Sequence, residues 1–266
     1  MSHKLLCQAD DYGITDAVSA GIRKGIRDGL IRNTGLFTNM PSSVSAVADL
    51  DVDVCLGQDF NFVTGRPLCS PAEVPDLVDS SGRFRTSGAV VAAGTVVGSQ
   101  GGIMLEFEQD PYPIDQVMRE ANAQYERFLD LVGKKPEYLH PHSLVTANTH
   151  AVIAELAERH GIVFAMDHAD QIGAHFLTNT WNPKPFPLER QLGTNVEEEV
   201  LAVIPEVLDH DTTLMIAHPG FLDDELFQIT TYTVIRMKDL AMYCSPRLRE
   251  WVESHDVELV SWRDVG

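Results

Sequence analysis

Two adjacent carboxylates, Asp10 and Asp11, close the apolar run Leu5-Leu6-Cys7-Gln8-Ala9, and Tyr12 and Gly13 follow. Neighbouring side chains of a strand point to opposite faces. A strand that ends near Ala9 therefore opens into a loop from which both carboxylates can aim at one site. The C-terminal ends of parallel strands are where α/β enzymes place their chemistry. One carboxylate can hold a divalent metal through hard oxygen, and the other can act as general base on water. The pair alone equally suits a polar turn in which one Asp caps the next helix. Three further strand ends carry metal-capable residues: Asp59 with Asn61, His140 with His142, and His218. If the strands are parallel, all four sets lie at one end of the sheet, which points to an enzyme.

The elements that must position these residues can be read in order. Thr15 caps a helix running to about Leu30, with Val18, Ile22 and Ile26 at helical spacing. The pattern predicts strands over 31–40 and 52–62, with a short helix over 43–50 between them. Residues 64–112 are rich in Gly, Ser and Pro and read as an insertion or flap. Ile114 to Val132 is an amphipathic helix. Strands over 138–142, 162–166, 212–218 and 257–262 alternate with helices over 149–160, from about 195 to Pro205, and 247–255. Sustained strand–helix alternation implies a parallel sheet with helices outside. The expected fold is α/β, a distorted β/α barrel of about seven mostly parallel strands, formed by a single domain over 1–266. No glycine-rich phosphate fingerprint follows the first strand, which excludes a dinucleotide domain.

Composition narrows the partners. Net charge is −19 over 266 residues. That excess repels nucleic acid phosphates and anionic membrane surfaces, so neither is expected as a partner. Cys7, Cys55, Cys69 and Cys244 are scattered without a CxxC pair, and read as reduced thiols. No apolar run reaches a membrane span and the first residues do not resemble a signal peptide, so a cytoplasmic location is expected.

The motifs, taken together, resemble the YdjC/ChbG-like carbohydrate deacetylases. Ala9-Asp10-Asp11-Tyr12-Gly13 is similar to the family's Ala-Asp-Asp-Phe-Gly opening. Asn33-Thr34-Gly35 to Asn39-Met40 resembles its second strand. Gly57-Gln58-Asp59-Phe60-Asn61-Phe62 with Gly65-Arg66-Pro67-Leu68 resembles its Gly-Leu-His-Leu-Asn-Leu…Gly-Arg-Pro-Leu stretch. Pro136 to His142 is similar to its Asp-x-His strand, and Ala217-His218-Pro219-Gly220 to its Cys-His-Pro-Gly-like strand end. Tyr232, Arg236, Asp239 and Leu240 resemble a later Tyr…Arg-x-x-Glu-Leu segment.

The resemblance implies a divalent metal, a sugar substrate and a homodimer. Carried over by position, Asp11 and His142 would ligate the metal, Asp10 would be the base, and His218 would protonate the leaving amine or steady the tetrahedral intermediate. Asn61, Arg66 and Arg236 are candidate substrate contacts, the two arginines for sugar hydroxyls or a phosphate unless they pair with surface acid. This chain departs from the family in carrying Asp59 where the family has a histidine, and His140 where it has an aspartate. A set of Asp11, Asp59 and His142 is hard and anionic, favouring Mg²⁺ over Mn²⁺ or Zn²⁺. His140 is an alternative ligand or a substrate contact. The expected activity is metal-dependent removal of an acetyl group from a small N-acetylated sugar or oligosaccharide. The alternatives are a non-catalytic sugar-binding homologue and a metal hydrolase of another amide or a phosphoester.

Overall fold

The computed structural model describes residues 3–100, 104–181 and 186–265. The opening strand β1 (Lys4–Tyr12) is buried almost throughout. Helix α1 (Asp16–Asp28) starts where the Thr15 hydroxyl accepts from the Val18 amide, and it buries Val18, Ile22 and Ile26 as their spacing predicts. Strand β2 (Asn33–Leu36), helix α2 (Ser43–Ala48) and strand β3 (Cys55–Phe60) follow. Both strands are shorter than the apolar pattern predicts. The run 31–40 leaves extended pairing before Pro41, and β3 stops where Asn61 turns the chain.

The glycine- and serine-rich stretch contains a short helix α3 (Ser87–Ala93) and the strands β4 (Val96–Gln100) and β5 (Met104–Phe107). Residues 101–103 of the expected insertion lie outside the described residues. Helix α4 (Ile114–Val132) ends at Gly133, whose φ of +75° is the left-handed cap that glycine adopts without strain. Strand β6 (Tyr138–Pro141) leads to α5 (Ala147–His160), which opens on a reciprocal cap between Thr146 and Thr149.

Next come β7 (Val163–Phe164), α6 (Ala165–Gln171), β8 (His175–Phe176), α7 (Leu188–Gly193) and α8 (Val196–Val203). The strand predicted over 162–166 is thus cut short by α6. Pro205 tightens the end of α8 into a 3-10 turn over Ile204–Asp209. The chain closes with β9 (Thr212–Ala217), α9 (Asp224–Ile229), α10 (Ile235–Tyr243), α11 (Pro246–Ser254), β10 (Glu258–Val260) and α12 (Trp262–Val265). The α/β class expected from the sequence, mostly parallel strands joined by helices, is the fold observed. Among the described residues, no helix is long and apolar enough to cross a membrane.

The chain forms two compact units. The first comprises Met1–Leu36, Pro41–Leu56 and Ala165–Gly266. In it β1 is central, pairing in parallel with β2, β9 and β10, while β8 pairs with β9. Burial on both faces explains why Leu5, Leu6, Cys7 and Ala9 read as a continuous apolar run rather than an alternating one. Helix α1 packs closely against the loop after β9. A Cβ on Gly21 would stand 2.5 Å from the Phe221 amide nitrogen and 2.6 Å from the Gly220 Cα.

The second unit comprises Phe37–Met40 and Gly57–Phe164. In it β3, β6 and β7 pair in parallel, and β4 and β5 form an antiparallel hairpin. The inner face of α4 holds the backbone of the segment 61–76 at three levels. Gln116 Oε1 accepts from the Asp76 amide, the Glu120 carboxylate accepts from the Leu68 and Cys69 amides, and Gln124 bonds both the amide and carbonyl of Asn61. The spacing 116, 120 and 124 puts these three on one face. Burial pushes the Glu120 carboxyl above its ordinary value, against the hydrogen bonds that favour its charged form.

Candidate active site

In the first unit the two carboxylates do not lie beyond the strand. β1 continues through them to Tyr12, with a register shift between Ala9 and Tyr12. Asp11 takes the extra residue's conformation at φ +74°, a left-handed region that aspartate tolerates better than most residues. Such a bulge re-aims side chains, and the two carboxylates diverge. Asp10 Oδ1 accepts from Gln8 Nε2 at 2.8 Å, and its Oδ2 lies 3.9 Å from His218 Nε2. Gln8 is itself fixed, because its Oε1 accepts from Trp262 Nε1 at 2.8 Å. Asp11 Oδ2 instead accepts from Arg236 Nη2 at 2.6 Å.

His218 follows the end of β9. Its amide donates to Asp239 Oδ2 at 3.2 Å, and the Tyr232 hydroxyl donates to the same oxygen at 2.8 Å. Burial pushes the Asp239 carboxyl up from 3.8 to about 7, against those hydrogen bonds and the neighbouring Arg236 charge.

In the second unit Asp59 and His140 are register partners on β3 and β6. Asp59 is wholly buried, and its Oδ1 lies 3.2 Å from His140 Nδ1. His142 has left the strand: its amide donates to the Phe60 carbonyl, and its ring meets the Phe37 ring edge-on at 4.7 Å. Asn61 shapes the turn that follows β3, with Oδ1 accepting from the Val63 and Thr64 amides and Nδ2 donating to the Thr64 carbonyl. Arg66 donates to the Ser81 and Gly82 carbonyls. Arg236 is 2% exposed. All three residues expected to contact substrate therefore have protein partners.

Among the described residues five acids are buried, Asp10, Asp11, Asp59, Glu120 and Asp239, against one buried basic side chain, Arg236. Burial itself favours the neutral form of Glu120 and Asp239. Within the second unit the buried Asp59 carboxylate and the His140 imidazole, 3.2 Å apart, are a donor pair that fits a divalent cation.

A family model described as YdjC-like protein matches residues 4–254. The chain belongs to this family. Two similar relatives of this YdjC-like protein bear names that state an activity. Carbohydrate deacetylase 2 of Listeria innocua serovar 6a is 29% identical over 273 residues, covering 98% of each chain. Carbohydrate deacetylase of Clostridium beijerinckii is 26% identical, covering 98% of this chain and 100% of the relative. Among solved structures, a candidate cellobiose-phosphate cleavage protein from Enterococcus faecalis V583 superposes with a TM-score of 0.76 at 18% identity over the whole of both chains. The YdjC-like fold is thus shared along the full length.

Gln8 and Trp262, 254 residues apart along the YdjC-like chain, together brace Asp10. No local pattern links two such positions. Tyr232, Arg236 and Asp239 were visible in the sequence as the Tyr…Arg-x-x-Glu-Leu-like segment, and the structure places Arg236 and Asp239 on α10 with Tyr232 just ahead of it.

Proposed function

We propose that this YdjC-like protein is a divalent-metal-dependent carbohydrate deacetylase acting on a small N-acetylated sugar or oligosaccharide. The observation that carries the metal is the wholly buried Asp59 carboxylate set 3.2 Å from the His140 imidazole on two paired strands. The names of the full-length relatives support the sugar and the reaction. The residues proposed to hold the ion are Asp59 and His140, the carboxylate–imidazole pair in register on two strands. This reading gives Asp11 and His142 supporting places: Asp11 is engaged by Arg236, and His142 leans on Phe37. The buried carboxylate supplies hard oxygen, which suits Mg²⁺ or Mn²⁺.

When bound, the ion supplies Lewis acidity toward the acetamide carbonyl and toward water. The chain's own residues do the rest. His218, beside Asp10, takes the proton released as water adds to the carbonyl, and returns one to the departing amine. This is the general base then general acid sequence open to a part-exposed imidazole. Asp10 stabilises the imidazolium while it carries that proton. Gln8 and Trp262 keep Asp10 in place.

The test is acetate release by the chelator-stripped protein, reloaded with Mg²⁺, Mn²⁺ or Zn²⁺, from mono- and oligosaccharides bearing N-acetyl groups. Release that depends on the ion and is lost in His218→Gln is expected. No release from any substrate with any ion would overturn the reading.

A further inference from the structure

We propose that Tyr232 and Asp239 are positioning residues for His218, holding its imidazole against Asp10. The purpose assigned to that placement, proton transfer, rests on the deacetylase reading; the geometry does not.

His218 lies just beyond β9, ahead of Pro219 and Gly220, and its side chain is 29% exposed. No ladder of the sheet fixes it. The segment entering α10 grips it at three points instead. Asp239 Oδ2 accepts from the His218 amide at 3.2 Å, and Arg236 Nη1 donates to the His218 carbonyl at 3.4 Å. The Tyr232 ring lies 5.0 Å from the imidazole, tilted by 52°. Tyr232 is itself held. Its hydroxyl donates to Asp239 Oδ2 at 2.8 Å, its carbonyl accepts from Arg236 Nε at 2.8 Å, and the guanidinium carbon stands 5.3 Å from its ring.

One carboxylate oxygen therefore ties the backbone of His218 to the ring that flanks its side chain. A brace that served the fold alone would require Asp239 to anchor the strand end. It would not require the aromatic tip at position 232 to share the same oxygen. The shared oxygen sets the distance from the flanking ring to the His218 backbone. The imidazole thus has two neighbours, the Tyr232 ring and Asp10 Oδ2, the latter 3.9 Å from its Nε2. Placement of a proton-transfer group matters steeply, since a displacement of about 1 Å can lower turnover by roughly a hundredfold.

The experiment compares Tyr232→Phe, Asp239→Ala and Asp239→Asn in the full chain. The first readout is the ring ¹H–¹³C resonance of His218 in metal-stripped protein at one fixed pH, identified by its loss in His218→Gln. The second is the split between kcat and KM for acetate release. Tyr232→Phe and Asp239→Ala are expected to shift or broaden the His218 resonance and to lower kcat by about 10–100-fold with KM near wild type. Asp239→Asn keeps a carbonyl oxygen that can accept both bonds, and is expected to restore both readouts. An unchanged His218 resonance in Tyr232→Phe and Asp239→Ala would overturn the proposal, whatever turnover does. If the wild type releases no acetate from any sugar, the deacetylase reading fails and the resonance still decides this one. Should Asp239→Ala not fold, Tyr232→Phe, which removes one oxygen atom, carries the test.

Discussion

Arg236 donates to Asp11 Oδ2 at 2.6 Å, and both side chains are almost wholly out of solvent. Such a pair contributes little net stability relative to apolar residues of the same shape, but losing one member leaves a buried charge alone. Arg236→Met should therefore destabilise the protein by about 3–5 kcal/mol. Adding Asp11→Asn, which removes the facing negative charge and tolerates the left-handed backbone, should recover part of that loss. Urea unfolding of the two single variants and the double variant measures the coupling. Strictly additive losses would show that the pair does not act as a unit.

Metal affinity separates the donors from their supports. Asp59→Ala and His140→Ala each delete a proposed donor atom and should abolish binding of Mn²⁺ to the stripped protein in calorimetric titration. Asp11→Asn acts one step removed and should weaken binding by about 10–100-fold. His142→Ala should leave affinity near wild type. The reverse pattern, with His142→Ala abolishing binding and His140→Ala tolerated, would move the imidazole donor to position 142.

Asp239 links stability to pH. Its carboxyl is raised by burial from 3.8 to about 7 in the folded protein. Between those values the folded protein keeps a proton that the unfolded chain has released, so the favourable contribution is complete below 3.8 and is lost as pH rises through about 7. The proton has a place to sit, because Asp239 Oδ1 has no hydrogen-bond partner among the described residues. Asp239→Asn does not titrate. The wild-type melting temperature minus that of Asp239→Asn should therefore fall as pH is raised across this window. A difference independent of pH would refute the assignment.

The contact between α1 and the loop that carries His218 leaves no room for a methyl group. Gly21→Ala would press a Cβ to 2.5 Å from the Phe221 amide nitrogen, and the obstruction is backbone. Overpacking of this kind costs about 1–3 kcal/mol. Lowered stability should be accompanied by lowered turnover, because Gly220 adjoins the His218 loop. A melting curve and an acetate-release assay on one preparation check both effects.

The sequence made legible what depends on local pattern. The Thr15 cap and the apolar spacing of Val18, Ile22 and Ile26 gave α1, and the uninterrupted amphipathic run gave α4. The strand ends at Asp10, Asp59, His140 and His218 were visible as apolar runs meeting polar residues. What stayed hidden depends on partners distant in the chain. Asp11 belongs to Arg236, 225 residues later, and nothing near Asp11 announces a guanidinium. The bulge that turns Asp10 and Asp11 apart comes from the register of β1 with β2, not from either residue alone. His140 and His142 suggested one strand face, but β6 ends at Pro141 and the second histidine turns away. The short helices α6, α9 and α12 are each under eight residues, too brief for periodicity to declare them.

The three polar residues on the inner face of α4 have an evolutionary consequence. Gln116, Glu120 and Gln124 grasp backbone atoms of the segment 61–76, so the path of that segment is encoded mainly in the helix. Its exposed positions, Leu68, Pro71 and Ala72, can then drift without refolding the loop. A library randomised there would vary side chains on a fixed scaffold, and the helix would be the part that descent has to preserve.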